Sequence, residues 1–413
     1  MANINLTPQM LTKEALMVIK NNLVFSRKVN RQYSAKYAER GWGQKTGPTI
    51  DIKRPPRYVG STNTALTVED HVQTKIPLTI NTRFQVAVDF TSYEKTLSKM
   101  DILEASEIIK PAMATIANKV DRDGLLMAYR SVYNNVGTPG TIPSTLRTYL
   151  LANAKLDDEG APVDDERCNI LSPAAQVEIV DSLKGLFQSS TQIKEQYEKG
   201  RMGTAAGLDW SMSQNIITHT VGPLGGTPLV NGTQAGLTTG WAETGTLVTD
   251  GWTAAAALRL NIGDTFTIAG VFAVNPQSRQ STGQLRDFVV LANTSSDGAG
   301  NATISIAPAI ISAGQFQNVS AAAADNAAIV VKGAANTVSP QGIVFHKDAF
   351  TLASVDLYVP ENVYAAKFAD ADVGLSVRLI KDWQIAGDNE PMRFDVLYQW
   401  RALYPEWACR VQG

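Results

Sequence analysis

The chain has 413 residues, enough for two or three domains, and its 44% hydrophobic and 18% charged residues are typical of a folded protein and exclude a disordered one. A formal net charge of −2 excludes a global basic field that would attract nucleic acid, so only local patches could do so. Two distant cysteines, the absence of a secretory pattern at the N-terminus and the absence of an apolar run of ~18 residues predict a soluble protein made in a reducing cytoplasm.

The N-terminal segment reads as an extension. Residues 8–20 carry a short helical pattern, and residues 24–47 are basic and loosely patterned. Two interpretations remain open, which are an arm that lies on another element and an ordinary surface helix followed by a loop.

Two extended segments follow. In TIDIKRPPRYV, Ile50 and Ile52 share one face, and Pro55-Pro56 forbids a central strand, which predicts an exposed hairpin tip. From residue 76 to 90, apolar side chains occupy seven even positions, which predicts a long, half-buried strand pair.

The periodicity then changes to that of helices. Within residues 98–134, Pro111 is expected to separate two helices and to occupy the first turn of the second. The second helix, 111–134, carries one apolar stripe at steps of three and four residues. Its other face carries Lys119, Asp121 and Arg122.

The middle of the chain alternates helices with short strands. Ser144 is expected to cap a helix over 145–156. Ser172 and Pro173 are expected to start a helix over 173–187, with Val177, Val180, Leu183 and Phe187 as its apolar stripe. Residues 169–171 predict a strand, and the glycines from 200 to 207 predict a turn that enters another.

A separate β module is predicted from composition. Residues 222–342 carry only 10 charged side chains and are rich in Gly, Ala, Thr and Ser. Within this segment, residues 258–262 alternate, a turn follows at Gly263-Asp264, and alternation resumes until a bulge at Ala269-Gly270. A hairpin is predicted around the loop 293–300. These signals indicate a small antiparallel barrel or sandwich.

Charged, alternating strands return after residue 343. Leu375, Val377 and Leu379 alternate, as do the apolar residues from Met392 to Trp400. We expect these strands to pair with the first half of the chain, because the low-charge module is a poor partner for them. The module is then an insertion, which surface loops tolerate well.

The sequence shows no familiar catalytic signature. His71, His219 and His346 share no metal-ligand spacing, the glycine-rich stretches lack the context of a phosphate loop, and Cys168 has no marked partner. The loop carboxylates at 157–159 and 164–166 predict solvated charge, and a weak divalent-ion site there has no support. We expect no catalytic, cofactor or metal site, and hence no enzyme.

The order of these parts resembles the major capsid (coat) proteins of tailed bacteriophages, which have the Hong Kong 97-type fold. The resemblance is carried by KPAMATIANKVDRDGLL, EKGRMGTAAGLDWSMSQNI, SVRLIKDW and MRFDVLYQWRALYPEWA. The segment GDTFTIAGVFAVNPQSRQSTGQLRDFVVLA resembles the inserted β-barrel domain of P-22-type coat proteins. The fold class implied is α+β, with an N-arm, an extended loop, a peripheral domain with a long spine helix, an axial domain and an inserted small antiparallel β-barrel.

The resemblance implies five regions. They are an N-terminal arm at 1–47; an extended loop (β-hairpin) at 48–75; a peripheral domain at 76–135 and 389–413 with spine helix 111–134; an axial domain at 136–221 and 343–388; and the inserted domain at 222–342.

The implied function is a major capsid protein that self-assembles into an icosahedral shell around a double-stranded DNA phage genome. The implied partners are other copies in hexamers and pentamers, scaffolding protein, portal protein, weakly bound DNA and a decoration protein, with no membrane. The protein would be assembled in the host cytoplasm and reside in the virion. Residues for covalent cross-linking cannot be matched.

Two further readings stay open, a tail-tube or adhesin-like β protein and, less favoured, an enzyme with a β insertion. A continuous spine helix would exclude the first of these. Lys53, Arg54 and Arg57 are the candidates for intersubunit contact; the alternative is a solvated edge that charge and proline protect from aggregation.

Overall fold

The computed structural model describes residues 23–38, 47–60, 64, 66, 68–93, 105–183, 203–370 and 374–413. The helix predicted at 8–20, the glycine-rich stretch at 41–46 and Phe187 lie outside these residues. The described helices are α1 Tyr33–Ala38, α2 Ala105–Ser131, α3 Leu146–Asp158 and α4 Pro173–Leu183, with 3₁₀ turns at Lys347–Ala349 and Pro405–Trp407. None of the helices in this part of the chain is long and apolar enough to span a membrane.

The strands in the described part of the chain are, in order, β1 Thr49–Lys53, β2 Lys75–Thr79, β3 Thr82–Val88, β4 Asn135–Gly137, β5 Arg167–Leu171, β6 Thr204–Ala205, β7 Leu208–Met212, β8 Thr218–Thr220, β9 Gly226–Val230, β10 Gly245–Trp252, β11 Leu258–Leu260, β12 Thr265–Val274, β13 Ser281–Val290, β14 Thr294–Ser295, β15 Ala302–Ala307, β16 Ile329–Val331, β17 Val338–His346, β18 Phe350–Ser354, β19 Tyr364–Asp370, β20 Leu375–Lys381, β21 Met392–Ala402 and β22 Ala408–Gln412.

The chain divides into two compact units. The first comprises residues 1–51, 77–124 and 350–401, and the second comprises residues 52–76, 125–349 and 402–413. Strands β1 and β2 pair in a two-stranded sheet.

The sheet of the first unit joins distant parts of the sequence. Strand β21 pairs with β18, β20 and β3, and β19 completes the sheet at its edge. Antiparallel pairing of β3 with β21 places Val86 opposite Phe394, which confirms that the C-terminal strands pair with the first half of the chain. The predicted strand pair between residues 76 and 90 is confirmed as two half-buried strands, β2 and β3. They do not pair with each other, since β2 pairs with β1 and β3 pairs with β21.

Helix α2 differs from the prediction at both ends. It is one helix through Pro111, which the sequence placed at the start of a second helix, and it ends at Ser131 rather than Asn134. Pro111 lies inside this helix, where its side chain is exposed to solvent. The stripe is buried as predicted at Met113, Ile116 and Val120.

The second unit contains a seven-stranded mixed sheet in the order β4-β22-β17-β5-β7-β6, with β8 also paired to β17. The core on this sheet is formed by Tyr149, Ala152, Leu156, Ala161, Leu171, Ile179, Leu208, Trp210, Val344, Cys409 and Val411.

Helices α3 and α4 begin with different caps. The N-cap of α3 is Thr145 rather than Ser144, and it makes no side-chain capping bond. The cap of α4 is confirmed, because the Ala175 N–H donates to Ser172 Oγ at 3.2 Å. The predicted stripe of α4 is confirmed at Val180, which packs against the core, and is wrong at Val177, which is 68% exposed while Ile179 is buried.

The second unit also contains the predicted β-barrel. Its strands follow the order β16-β12-β13-β15-β10-β9. A bridge between Leu229 and Ala328 and a bond from the Val230 N–H to the Ala327 carbonyl (3.0 Å) close the ring. The core is apolar, with Phe266 and Phe288 stacked at 5.7 Å.

The sequence predicted a turn and a bulge in the barrel. The predicted bulge is confirmed, because the β12–β13 register shifts between Thr267 and Phe272 and Gly270 has φ +79°. The predicted turn at Gly263-Asp264 is confirmed, because the Asp264 N–H donates to the Asn261 carbonyl at 3.0 Å between β11 and β12. The two strands do not pair with each other, since β11 pairs with β14.

The strands are grouped differently from the five predicted regions. Strands β19 and β20, assigned to the axial region, lie in the same sheet as β3, whereas β22, assigned to the peripheral region, lies in the sheet of β5 and β17. The five-region division stays a prediction.

Candidate functional site

In the first unit, a turn of the N-terminal segment is bound to helix α2 by one carboxylate. Asp121 accepts backbone N–H bonds from Val24 (2.6 Å), Phe25 (3.2 Å) and Ser26 (3.1 Å), and a bond from the Ser26 hydroxyl. Asp121 is fully buried, and this burial raises its pKa although the four donors oppose the shift. Its predicted exposure is wrong because the N-terminal segment covers it.

A glycine lets three elements meet beside this turn. Phe25 stacks on Trp400 at 5.1 Å, and the Trp400 indole N–H donates to the Val120 carbonyl at 3.0 Å. A Cβ atom at Gly124 would lie 2.6 Å from Trp400 Cζ2 and 2.7 Å from Phe25 Cδ1. Only glycine therefore allows both rings to approach the helix as closely as they do.

In the second unit, the barrel is attached through the turn that precedes β12. The Asp264 carboxylate accepts bonds from the backbone N–H groups of Asn261 (2.7 Å) and Gly222 (3.1 Å), and His219 Nε2 lies at 2.8 Å. The Tyr129 hydroxyl reaches His219 Nδ1 and donates to the Ile262 carbonyl at 2.8 Å. Burial raises the pKa of Tyr129 to about 12.

The same turn requires glycine and binds the C-terminal strand. Gly263 has φ +94°, and a Cβ atom there would lie 2.1 Å from the Tyr129 hydroxyl oxygen. Arg410, which is fully buried, donates to the carbonyls of Tyr129 (3.1 Å) and Gly263 (2.9 Å). The entrance of the barrel is thus fixed by main-chain groups.

Two buried ion-pair clusters reinforce this attachment. Asp287 of β13 pairs with Lys155 of α3 and with Lys332 (3.1 Å). Burial alone would raise the pKa of Asp287, but the two lysines hold it below its ordinary value. The neighbouring Arg286 pairs with Glu159, and its guanidinium lies 4.6 Å from the centre of the Tyr133 ring.

Part of the small charge of the module is used in buried contacts. Of its charged side chains, Arg259, Asp264, Arg286 and Asp287 are buried. Three of these four bind residues outside the barrel, namely His219, Glu159 and Lys155. Few charges remain for its surface.

The structure separates the three predicted contact residues. Arg54 is buried, pairs with Glu406 and lies over the rings of Tyr404 (4.7 Å) and Trp241 (5.4 Å). Arg57 is partly exposed and lies 3.4 Å from the same carboxylate. Lys53 is exposed. An intersubunit role for all three stays a prediction.

One group of side chains has the composition of a metal site, namely Asp164, Glu166 and His346. His346 Nδ1 accepts the Asp348 N–H at 3.2 Å, so in the neutral ring Nε2 carries the hydrogen and donates it to Asp164 at 3.1 Å. Lys347 pairs with Glu166 at 2.6 Å. These polar atoms bond one another, and one possible ligand atom from each of the three side chains lies within 4.8 Å of the other two.

The sequence pattern missed most of these partners. Glu406, Asp264 and Asp287 carried no motif. The one available signal was the rarity of charge in residues 222–342, because a charged residue retained in a low-charge module is a good candidate for a buried ion pair.

Comparison with known proteins gives a family match over nearly the whole chain. A family model described as P22 coat protein, gene protein 5, matches residues 1–412. No curated protein matches.

Solved structures similar to this chain include phage proteins. One from Mycobacterium phage Che8 is 11% identical, covers 94% of this chain and 90% of its own, and has a TM-score of 0.47. The capsid structure of cyanophage P-SCSP1u is 11% identical, covers 89% and 83%, and has a TM-score of 0.43. The CUS-3 coat protein I-domain is 28% identical, covers 25% and 94%, and has a TM-score of 0.19.

Proposed function

Because this chain belongs to the P22 coat protein family and is a major capsid protein, we propose that its copies close into an icosahedral shell around a double-stranded DNA phage genome. The family match over residues 1–412 carries this proposal. The match also supports the predicted α+β, Hong Kong 97-type fold class. The strand order β16-β12-β13-β15-β10-β9 supports the inserted barrel. The helix Ala105–Ser131 excludes the tail-tube or adhesin-like alternative, which requires strands throughout.

The architecture of each unit supports a shell-building role. In the first unit, helix α2 is fixed to β21 through Trp400 and to the N-terminal segment through Asp121. A rigid body of this kind presents the same surfaces in every copy. Many modest contacts between copies then act together, which stabilises a closed shell even where each contact is weak.

The extended loop is the proposed intersubunit element. Tyr58, Leu66 and Val68 are 56%, 91% and 82% exposed, which is unusual for apolar side chains in water. Lys53 is exposed at the base of the loop, whereas Arg54 forms an ion pair with Glu406 of the same chain. Among the three candidates, Lys53 is therefore the one best placed to reach a neighbouring copy, and Arg54 supports the loop from beneath.

The remaining roles are proposals that follow from the family. The protein associates with itself and is a component of the virion. We expect hexamers and pentamers, a scaffolding protein, a portal protein and a decoration protein as partners, assembly in the host cytoplasm, and no catalytic activity.

Electron microscopy of the full chain, expressed with its scaffolding partner, tests the proposal. Closed shells are expected. Tubes or fibres would support a tail-like role, and discrete small particles with catalytic turnover would support an enzyme; either would overturn the proposal. Lys53→Glu should reduce the yield of shells while Arg147→Glu, an exposed control in α3, should not.

A further inference from the structure

We propose that a basic face on the first unit, formed by Arg27, Lys28, Lys119 and Arg122, binds the phosphates of double-stranded DNA. The inference rests on the proposed function, which places a genome inside the shell, and it assigns the contact to particular residues. Arg27 and Arg122 are exposed, and Lys28 and Lys119 are half-buried.

The bonds to Asp121 bring these residues together. The backbone of Val24, Phe25 and Ser26 is bonded to this carboxylate, so the next two residues of the chain, Arg27 and Lys28, emerge beside the helix turn that carries Arg122. The Lys28 N–H donates to the Phe25 carbonyl at 3.0 Å, which closes a turn and holds the two basic residues at this position.

The two acidic residues in this stretch are bound to groups other than Arg27 and Arg122. Asp121 is fully buried, and both of its oxygens accept bonds from the N-terminal turn. Asp123 pairs with Lys119 at 2.6 Å and accepts the Tyr398 hydroxyl at 2.7 Å. Neither of these two acids pairs with Arg27 or Arg122, and these two exposed guanidinium groups supply the positive charge of the face.

The chemistry of the face favours a duplex over a specific ligand. Two exposed guanidinium groups, one on the N-terminal turn and one on the helix, suit the regularly spaced phosphates of a duplex. Non-specific contacts of this kind have a Kd of about 10⁻⁴ to 10⁻⁶ M. Because the chain as a whole has a formal net charge of −2, the shell would attract DNA only at this face and would not hold the genome tightly.

Fluorescence anisotropy with a labelled 20-base-pair duplex tests the inference on the purified full chain. Arg27→Gln with Arg122→Gln removes two cations from the face, and Arg130→Gln with Arg147→Gln removes two exposed cations elsewhere. At 50 mM salt we expect the first pair to lower the affinity about tenfold and to reduce the slope of log K against log salt by roughly 0.9 for each phosphate that is no longer neutralised. The control should change neither.

Equal affinity and equal slope for both variants would overturn the inference. Arg27→Lys with Arg122→Lys keeps the charge and should keep the binding, which separates loss of charge from loss of structure. Polyglutamate is the second probe. If Arg27→Gln with Arg122→Gln abolishes the binding of polyglutamate but leaves duplex binding unchanged, the partner is an acidic polypeptide and the DNA assignment is wrong. Shell formation by the wild-type chain is scored separately, so failure of the proposed function is distinguished from failure of this inference.

Discussion

The turn at Asp121 in the first unit and the barrel attachment in the second are two different solutions to joining distant segments. The first uses one carboxylate, backbone donors and a glycine that admits two aromatic rings. The second uses buried ion pairs, with Arg286 on Glu159 and Asp287 on two lysines. A buried charge is costly unless its partner is present, so the second kind of joint should be more sensitive to loss of one side chain.

The largest effect is expected at the barrel attachment. Arg286→Leu leaves Glu159 buried without its partner and should lower the free energy of unfolding by about 3–5 kcal/mol. Urea unfolding followed by tryptophan fluorescence measures the change. The matched control is the double substitution Arg286→Leu with Glu159→Leu, which should destabilise the protein less than Arg286→Leu alone. A double variant that is less stable than either single variant would contradict this account.

The next effect is expected at the N-terminal turn. Asp121→Ala leaves buried donors without an acceptor and should cost about 2–3 kcal/mol in unfolding free energy. Asp121→Asn keeps an acceptor oxygen and should cost less. If both variants lose the same unfolding free energy, the hydrogen bonds to the Asp121 carboxylate do not hold the turn.

The same residue predicts a pH dependence. Because the pKa of Asp121 is raised in the folded state, the folded chain binds this proton more tightly than the unfolded chain. The stabilisation is therefore present at low pH and is lost as pH rises through the folded pKa. Compared with Asp121→Asn, the wild-type protein should lose stability over that interval; a pH-independent difference would contradict the assignment.

A smaller effect is expected at Gly124. Gly124→Ala gains helix propensity but drives a methyl group into Trp400 and Phe25, so we expect a net loss of about 1–2 kcal/mol. Thermal unfolding by circular dichroism measures it. Ala114→Gly, at a half-buried position on the same helix, gives the reference cost of the propensity term alone. Stabilisation by Gly124→Ala would show that the rings are free to move away.

The last test measures the reactivity of the Cys409 thiol and not the stability of the protein. Burial raises the pKa of the Cys409 thiol to about 12, so in the folded protein it should not react with iodoacetamide at pH 8. In urea it should react. Mass spectrometry of the peptide containing Cys409 distinguishes it from Cys168. Labelling of Cys409 in the folded chain would show that this core opens readily.

Local patterns in the sequence predicted the parts of the fold that depend on neighbours in the chain. The apolar stripe of α2, the cap of α4, the bulge at Gly270 and the low-charge module are all properties of short windows. They are predictable because helix and strand periods and turn chemistry act over a few residues. The stripe of α4 was wrong at Val177 because both faces of this helix carry apolar residues, so periodicity alone could not choose Ile179 over Val177.

The sequence by itself determined many of the segments that are helical or extended and indicated that a low-charge β module is present. Only the tertiary structure decided which strands pair, that Asp121 is buried, and that Arg54 is used inside the chain by Glu406. Asp121 and its donors are about 95 residues apart and Arg54 and Glu406 are 352 apart, so no local pattern records either pairing. A charged residue has the same appearance in a sequence whether water or a distant partner stabilises it, and only folding brings that partner into place.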